Sequence, residues 1–408
     1  MEQSNNSFYG LGIAPKIIEI LDQLKFKVAT PIQHQAIPLG LEGKDVLGIA
    51  QTGTGKTMAF AIPTIQRLAQ NTKDRALVVV PTRELAIQVD ESFTKIARPY
   101  GIRTAVLIGG DPMVKQLRAL SAHPRVLIAT PGRLLDIMEQ RRVNLNDVKI
   151  LILDEADRMF DMGFSDQIEM ILKSVPKDRQ TLLFSATMPA AILHVVKRHM
   201  RIPVSVEIAP TGTTSAHVTH ELFIVKNEMK KVLLDKLLAK YRGSVLLFSR
   251  TKIGAHRIAG GLRQSGHSAA EIHSDRSLSQ RREALEGFKR GKYRVLVATD
   301  IASRGIDVKG IELVVNYDLP DETENYIHRI GRAGRAGVAG HAVSFAMSDQ
   351  KEDVLRIERL IKASLPVSKH PDVPSAEFDR FSSSSNAGRS SSRSGTWKAR
   401  RPTFRRRR

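Results

Sequence analysis

The 408-residue chain contains no cysteine. Disulfide frameworks and thiolate-held metals are thereby excluded, and the composition agrees with a reducing compartment. Aromatic residues are scarce at 5%, with a single tryptophan. No apolar run reaches the ~18 residues that a membrane span requires, and residues 1–10 lack the basic and then apolar regions of a secretory signal. A cytoplasmic protein with no membrane partner is therefore expected. Acids are also in deficit, with 42 Asp and Glu against 63 Lys and Arg and a formal charge of +21. Such an excess points to a polyanion, nucleic acid before membrane, because no long basic amphipathic helix stands out.

A hydrophobic content of 42% is ordinary for a water-soluble chain, and its length exceeds what one growing core accommodates, so two globular units are expected. The basic excess is uneven. Residues 382–408 hold eight Arg, one Lys and no acid, a charge of +9 that leaves +12 elsewhere. Serine runs and a near absence of aliphatic side chains keep this stretch from burying enough surface to offset the entropy of ordering. Its arginines, with Trp397 and Phe404 nearby, suit phosphate attraction plus base stacking. A tail that only solubilises is the plainer alternative.

The most informative stretch is 149–157. Ile150 to Leu153 form an apolar run of the kind expected for a strand buried on both faces, and it stops at Asp154, Glu155 and Asp157. Open parallel sheets bind ligands at the carboxyl ends of their strands, so acids placed there suit a metal and a reacting water. An acidic first turn of a helix would also account for them. Upstream, a strand at 45–50 runs into Gln51, Thr52, Gly53, Thr54, Gly55, Lys56 and Thr57, which matches the phosphate-cradling loop except that Ala50 replaces the usual first glycine. In that reading the backbone from Thr52 to Gly55 wraps phosphate oxygens, and Lys56 neutralises the terminal phosphates. Thr57 offers its hydroxyl to Mg²⁺, and Asp154 completes the metal's protein shell through water. Glu155 is then the group that orients and deprotonates the attacking water.

Strands and helices alternate on either side of this stretch. Strands are expected at 76–80, 104–108, 126–130, 150–153 and 181–184, which argues a parallel sheet covered on both faces. Turn residues recur at the strand ends: Pro81 to Leu85, Gly109 and Gly110, Thr130 to Arg133, and Ser185 to Thr187. A linker-like composition follows near 207–217. A second series then places strands at 220–225, 245–248, 269–272, 295–298, 313–315 and 342–345, and helices at 230–240, 252–264, 279–289 and 349–363. This unit has no phosphate loop. It carries 299–307 and 328–335 instead, where Arg329, Arg332 and Arg335 are either a solvated helix face or donors on a loop. Glycines at 331, 334 and 337 favour the loop.

Taken together, these motifs resemble the DEAD-box ATP-dependent RNA helicases, and among them the bacterial RhlE type, over residues 8–365. The resemblance implies an α/β fold of two RecA-like parallel-sheet lobes, 1–207 and 219–366, joined by a flexible linker at 208–218 and followed by a disordered basic C-terminal tail at 367–408. ATP and RNA would bind across the cleft. Phe26 would stack on adenine, Gln33 would read its edge, and Asp307 would contact the ribose. Arg83, Gly110, Thr130, Arg133 and Asp136 would lie near RNA on the first lobe and Thr299 on the second, while Arg332 and Arg335 reach the terminal phosphate. Phe8 resembles the family's upstream aromatic. Ser185 and Thr187 are expected to link hydrolysis to strand separation. Departures from the commonest spelling occur at Lys25, Ser249, Arg250, Ser274 and Ala333, and no individual role attaches to Gln280, Arg281 or Arg282. The implied protein is a monomer that acts on single-stranded RNA and short duplexes, with ribosomal precursors or RNA-decay proteins as further partners. An ATP-gated RNA clamp without unwinding, or a DNA-directed motor, are the other readings.

Overall fold

The computed structural model describes residues 7–51, 53–208, 218–300, 308, 310–333 and 340–378. Two parallel sheets organise it. The first contains β1 (Val46–Ile49), β2 (Arg75–Val79), β3 (Thr104–Leu107), β4 (Val126–Ala129), β5 (Val148–Leu153), β6 (Gln180–Ser185) and β7 (Val204–Glu207), in the order β3-β4-β2-β5-β6-β1-β7. The second contains β8 (Val218–Ile224), β9 (Val245–Phe248), β10 (Ala269–Ile272), β11 (Val295–Ala298), β12 (Leu313–Asn316) and β13 (Gly340–Ala346), in the order β10-β11-β9-β12-β13-β8. The expected α/β architecture of two parallel-sheet lobes is present.

The short apolar runs become strands because both faces of each sheet are covered. Alternate side chains of β2 feed opposite cores: Ala76 and Val78 pack with Phe60 and Phe93, whereas Leu77 and Val79 pack with Leu134 and Met159. In the second lobe Leu246 and Phe248 face one core, and Val245 and Leu247 the other. Among the described residues no helix is long and apolar enough to cross a membrane.

Parallel registration puts the informative loops on common edges. Ile49 lies opposite Ser185, Leu153 opposite Val79, and Val79 opposite Ala129, so the segments after β1, β2, β4, β5 and β6 emerge side by side. The lobes touch as well: Leu278, which opens the helix Leu278–Lys289 of the second lobe, is buried in a core of the first.

Two expectations change. β7 went unread, because as an edge strand it buries only Val206 and leaves Ser205 and Glu207 to solvent, so no continuous apolar run announces it. Residues 367–378, assigned above to the tail, are ordered on the second lobe. The Leu222 N–H donates to the Pro366 carbonyl and the Ser368 N–H returns a bond to Leu222, each at 2.8 Å. Further along, the Ala376 N–H reaches Ile224 at 2.8 Å, Lys236 pairs with Asp372 at 2.7 Å, and Val373 is buried. A free parallel edge leaves unpaired backbone groups, and this segment satisfies part of those on β8. Of the linker expected at 208–218, residues 209–217 lie outside the described residues and Val218 already belongs to β8; the stretch beyond 378 is also outside them.

Candidate functional site

Gly53 and Gly55 adopt φ of +87° and +92°, the left-handed region that a side chain resists, and let the loop turn into the helix Lys56–Gln70. Lys56 is buried at the helix start and donates to the Ala50 carbonyl at 2.8 Å. Thr54 Oγ1 donates to the Gln51 carbonyl at 2.7 Å. Gln33 sits in a capping box: its Oε1 accepts from the Thr30 N–H at 2.9 Å, while its Nε2 donates to the Gly55 carbonyl at 3.0 Å. The amide expected to read adenine therefore also ties the preceding helix to the phosphate loop, with one donor hydrogen and further lone pairs left. Phe26, behind the left-handed Lys25, is 38% exposed. Phe8 is 3% exposed and packed in the first-lobe core. Its hydrophobic ring is worth more there than at the surface.

Beside the loop, β5 delivers the acids. Asp154 is 2% exposed, and burial pushes its carboxyl up to about 7 despite the opposing charge of Lys56. Glu155 has φ 50° and ψ 50°, and its N–H donates to Asp154 Oδ1 at 3.0 Å. Burial would raise the Glu155 carboxyl too, but Arg158, Lys56 and Arg332 together hold it below the ordinary glutamate value. Arg158 makes a direct ion pair with Glu155 Oε2. Asp157 is a bridge to the end of β6: its Oδ2 accepts from the N–H groups of Ala186 at 3.0 Å and Thr187 at 2.8 Å and from Thr187 Oγ1 at 2.9 Å. Ser185 Oγ accepts from the Asp157 N–H at 3.3 Å and donates to the Thr187 carbonyl at 2.7 Å. The four acid and hydroxyl positions Asp154, Glu155, Ser185 and Thr187 thus belong to one bonded unit, with Asp157 and Arg158 as members that sequence reasoning had left without roles.

The first-lobe RNA candidates gather at β2, β3 and β4, on the other half of the same edge. The Arg83 guanidinium lies over Gly109, where a Cβ would stand 3.2 Å from Nη2, and Gly110 has φ +77°. Thr130 precedes the helix Pro131–Glu139. Within it, Arg133 donates to the Asp111 carbonyl at 3.2 Å and pairs with Asp136 at 3.6 Å.

Second-lobe residues approach from across the cleft. Arg332, in the turn after the helix Thr323–Ile330, is 3% exposed and near enough to Glu155 to depress its carboxyl. His328 is pushed down to about 4 by burial and then by Arg158, with Asp157, Arg332 and Glu155 also within electrostatic range. Arg281 and Glu84 form a 2.8 Å ion pair between the lobes, both buried. Arg281 carries no role in the sequence reading, where nothing local distinguishes it from Arg282. Thr299 follows β11, its N–H donating to Ile272 at 3.3 Å. Arg329 corrects the expectation of a loop donor. It lies within the helix, 1% exposed, binds Asp300 through Nε at 2.6 Å and Nη2 at 2.7 Å, reaches the Asp318 carbonyl at 2.7 Å and Asn316 Oδ1 at 3.2 Å, and stacks 5.0 Å from the Phe248 ring. Four acceptors and a ring make it a brace for the sheet. Thr52, Asp307 and Arg335 lie outside the described residues.

The comparisons with known proteins agree with this geometry. The family description "DEAD/DEAH box helicase" matches residues 30–195, and "Helicase conserved C-terminal domain" matches 228–337. The chain is 41% identical over 360 residues to the ATP-dependent rRNA helicase RRP3 of Yarrowia lipolytica, covering 88% of this chain and 75% of that protein. It is 41% identical over 372 residues to the DEAD-box ATP-dependent RNA helicase CshA of Bacillus subtilis, covering 91% and 75%. Among solved structures, Saccharomyces cerevisiae Dbp5 bound to RNA and ADP BeF3 superposes with a TM-score of 0.78 at 29% identity, covering 89% of this chain and 95% of that one. A DEAD box protein from Methanococcus jannaschii scores 0.53 at 37% identity, covering 89% and 99%. The bound Dbp5 superposes better, although the other protein is nearer in sequence. With both lobes of RecA-like type, both helicase domains matched and relatives of this similarity covered over most of their length, the chain belongs to the DEAD-box family of ATP-dependent RNA helicases.

Proposed function

We propose that this protein is a helicase of the RhlE type that couples RNA-stimulated ATP hydrolysis to the separation of short RNA duplexes, working as a cytoplasmic monomer on ribosomal precursors or with RNA-decay proteins. The observation that carries the reading is that Arg332 of one lobe is buried within electrostatic range of Glu155, buried on the other. RNA named in the Dbp5 structure and rRNA named for RRP3 support the substrate class. The division into 1–207, 208–218 and a second lobe from 219 is part of the proposal, with ordered chain now reaching 378.

In this mechanism water attacks the terminal phosphorus of ATP. As its oxygen bonds to phosphorus, the bond to the ADP oxygen breaks, and the water's proton passes to the Glu155 carboxylate. Lys56 from the first lobe, with Arg332 and Arg335 from the second, meets the charge on the transferring oxygens. Thr52 to Gly55 contribute backbone donors, Phe26 and Gln33 hold the base, and Asp307 the ribose. A hard divalent cation fits Thr57 and Asp154, both oxygen donors, the second a buried carboxylate. When bound, Mg²⁺ would neutralise phosphate oxygens. Arg83, Gly110, Thr130, Arg133, Asp136 and Thr299 hold RNA, and its differential affinity for the closed lobes makes hydrolysis RNA-dependent. Ser185 and Thr187 transmit closure through Asp157.

Glu155→Gln tests the reading. Phosphate release and strand release are expected to fall by ~10²–10⁴-fold, the usual worth of a general base, while RNA binding in the presence of a non-hydrolysable ATP analogue persists. Undiminished turnover would exclude the role given to Glu155. Hydrolysis by the wild-type protein without release of a short duplex would favour the clamp, and stimulation by DNA equal to that by RNA would favour the DNA motor, since only RNA offers a 2′-hydroxyl.

A further inference from the structure

Arg158 is a buried cation paired with a carboxylate at the end of β5. It is the third residue of the six-residue helix Ala156–Asp161, directly after the end of β5. Its side chain is only 6% exposed, and removing a guanidinium from water is unfavourable unless a partner compensates. That partner is Glu155, itself 7% exposed in its side chain, through Oε2.

Glu155 is equally unusual. A glutamate with φ 50° and ψ 50° sits in the left-handed region, which L-residues with a Cβ avoid, and such strain persists only where surrounding contacts over-determine it. The contacts that do so are few. The Glu155 N–H is taken by Asp154 Oδ1 at 3.0 Å, and its carbonyl accepts from the Met159 N–H at 3.2 Å. Both bonds hold the backbone and neither orients the carboxylate. Arg158 does, from a position three residues on, through Nη1 on Oε2 and with a planar group that limits how the carboxylate can rotate. It also faces the second lobe, where His328 feels its charge.

We propose that Arg158 is a positioning residue for the hydrolytic step, whose guanidinium aims the Glu155 carboxylate into the cleft and keeps the end of β5 in its strained conformation. The idea rests on the reading of Glu155 as the group that activates water. Arg158 itself touches neither nucleotide nor RNA in this scheme, so its loss acts on turnover and spares binding.

The test uses the full-length protein, saturating single-stranded RNA and four variants: Arg158→Met, Arg158→Lys, Glu155→Gln, and Glu155→Gln with Arg158→Met. Arg158→Met is expected to lower kcat by ~10²-fold, the scale associated with a misplacement of about 1 Å, with KM for ATP and analogue-dependent RNA binding unchanged. Arg158→Lys, which keeps the charge but loses the fork, should fall between Met and the wild type. In the Glu155→Gln background the Met substitution should cause little further loss of kcat, because it acts through a group already disabled. Wild-type kcat in Arg158→Met, alongside an inactive Glu155→Gln, overturns the positioning role and leaves the reading of Glu155 standing. An active Glu155→Gln overturns that reading instead. If Arg158→Met does not fold, Arg158→Lys decides alone: a lowered kcat at unchanged KM supports the role, and wild-type kcat overturns it. Loss of analogue-dependent RNA binding in a folded Arg158→Met in step with kcat would likewise overturn it, as the mark of a purely structural residue.

Discussion

Asp154, Glu155 and Asp157 lie within four positions of one another, yet each meets a different environment. Asp154 is buried with Lys56 as its main opposing charge and is driven up to about 7. Glu155, equally buried, has three cations and is held down. Asp157 spends one oxygen on three donors at the end of β6. Carboxylates that look alike in sequence are therefore sorted by what surrounds them. His328 allows a test at this scale. Its folded pKa of about 4 lies below the ordinary 6.5, so the unfolded chain takes up a proton first as pH falls. The stability that neutral His328 contributes is complete above pH 6.5 and is lost progressively between 6.5 and 4, by up to roughly 3 kcal/mol. Thermal melts across that window should show a shallower acid slope in His328→Gln than in the wild type, with parallel curves above pH 7; identical slopes would assign the acid sensitivity to other groups.

At the level of elements, the strands and the phosphate loop are locally encoded, whereas edges are not. β7 and the segment after Pro366 both flank a sheet and expose half their side chains, so neither shows the apolar run that marks β2 or β11. The consequence for the C-terminal region can be measured by comparing two truncations. A chain ending at Pro366 loses the Ser368 bond to Leu222, the Ala376 bond to Ile224 and the buried Val373, and should be destabilised by about 2 kcal/mol with a greater tendency to self-associate through β8. A chain ending at Phe378 keeps these and should melt like the full protein. It should nevertheless bind RNA with a flatter salt dependence, because the slope on single strands falls by ~0.7 for each phosphate that the missing arginines no longer neutralise. Equal melting temperatures for both truncations would show that the segment adds no stability.

For the whole molecule, the decisive feature is closure. Glu84 and Arg281 sit 2.8 Å apart across the lobes, aligned as an ion pair and not as a hydrogen bond, in a place water barely reaches. Removing either partner strands a buried charge, which costs about 3–5 kcal/mol where the pair is dry. Glu84→Ala and Arg281→Ala should therefore each weaken analogue-dependent RNA binding strongly, and the double variant by much less than the sum of the two. Additive losses would mean that the residues do not act on each other when the lobes close. ATP affinity measured without RNA should change little, since neither side chain borders the phosphate loop.

By itself, the sequence determined the alternation of strands and helices, the loop Gln51 to Thr57 and the acids that end β5, because periodicity, left-handed glycines and charge at a strand end are signals carried within a few residues. It also separated the two lobes. Tertiary structure alone decided that Arg329 braces the sheet while Arg332 turns to Glu155, that Asp157 holds Ser185 and Thr187, and that Arg281 finds Glu84. It also placed nucleotide candidates at β1, β5 and β6 and RNA candidates at β2, β3 and β4 along one edge. The reason is the range of the forces: burial and Coulomb attraction act between neighbours in space, and the cations that set the state of Glu155 come from positions 56, 158 and 332.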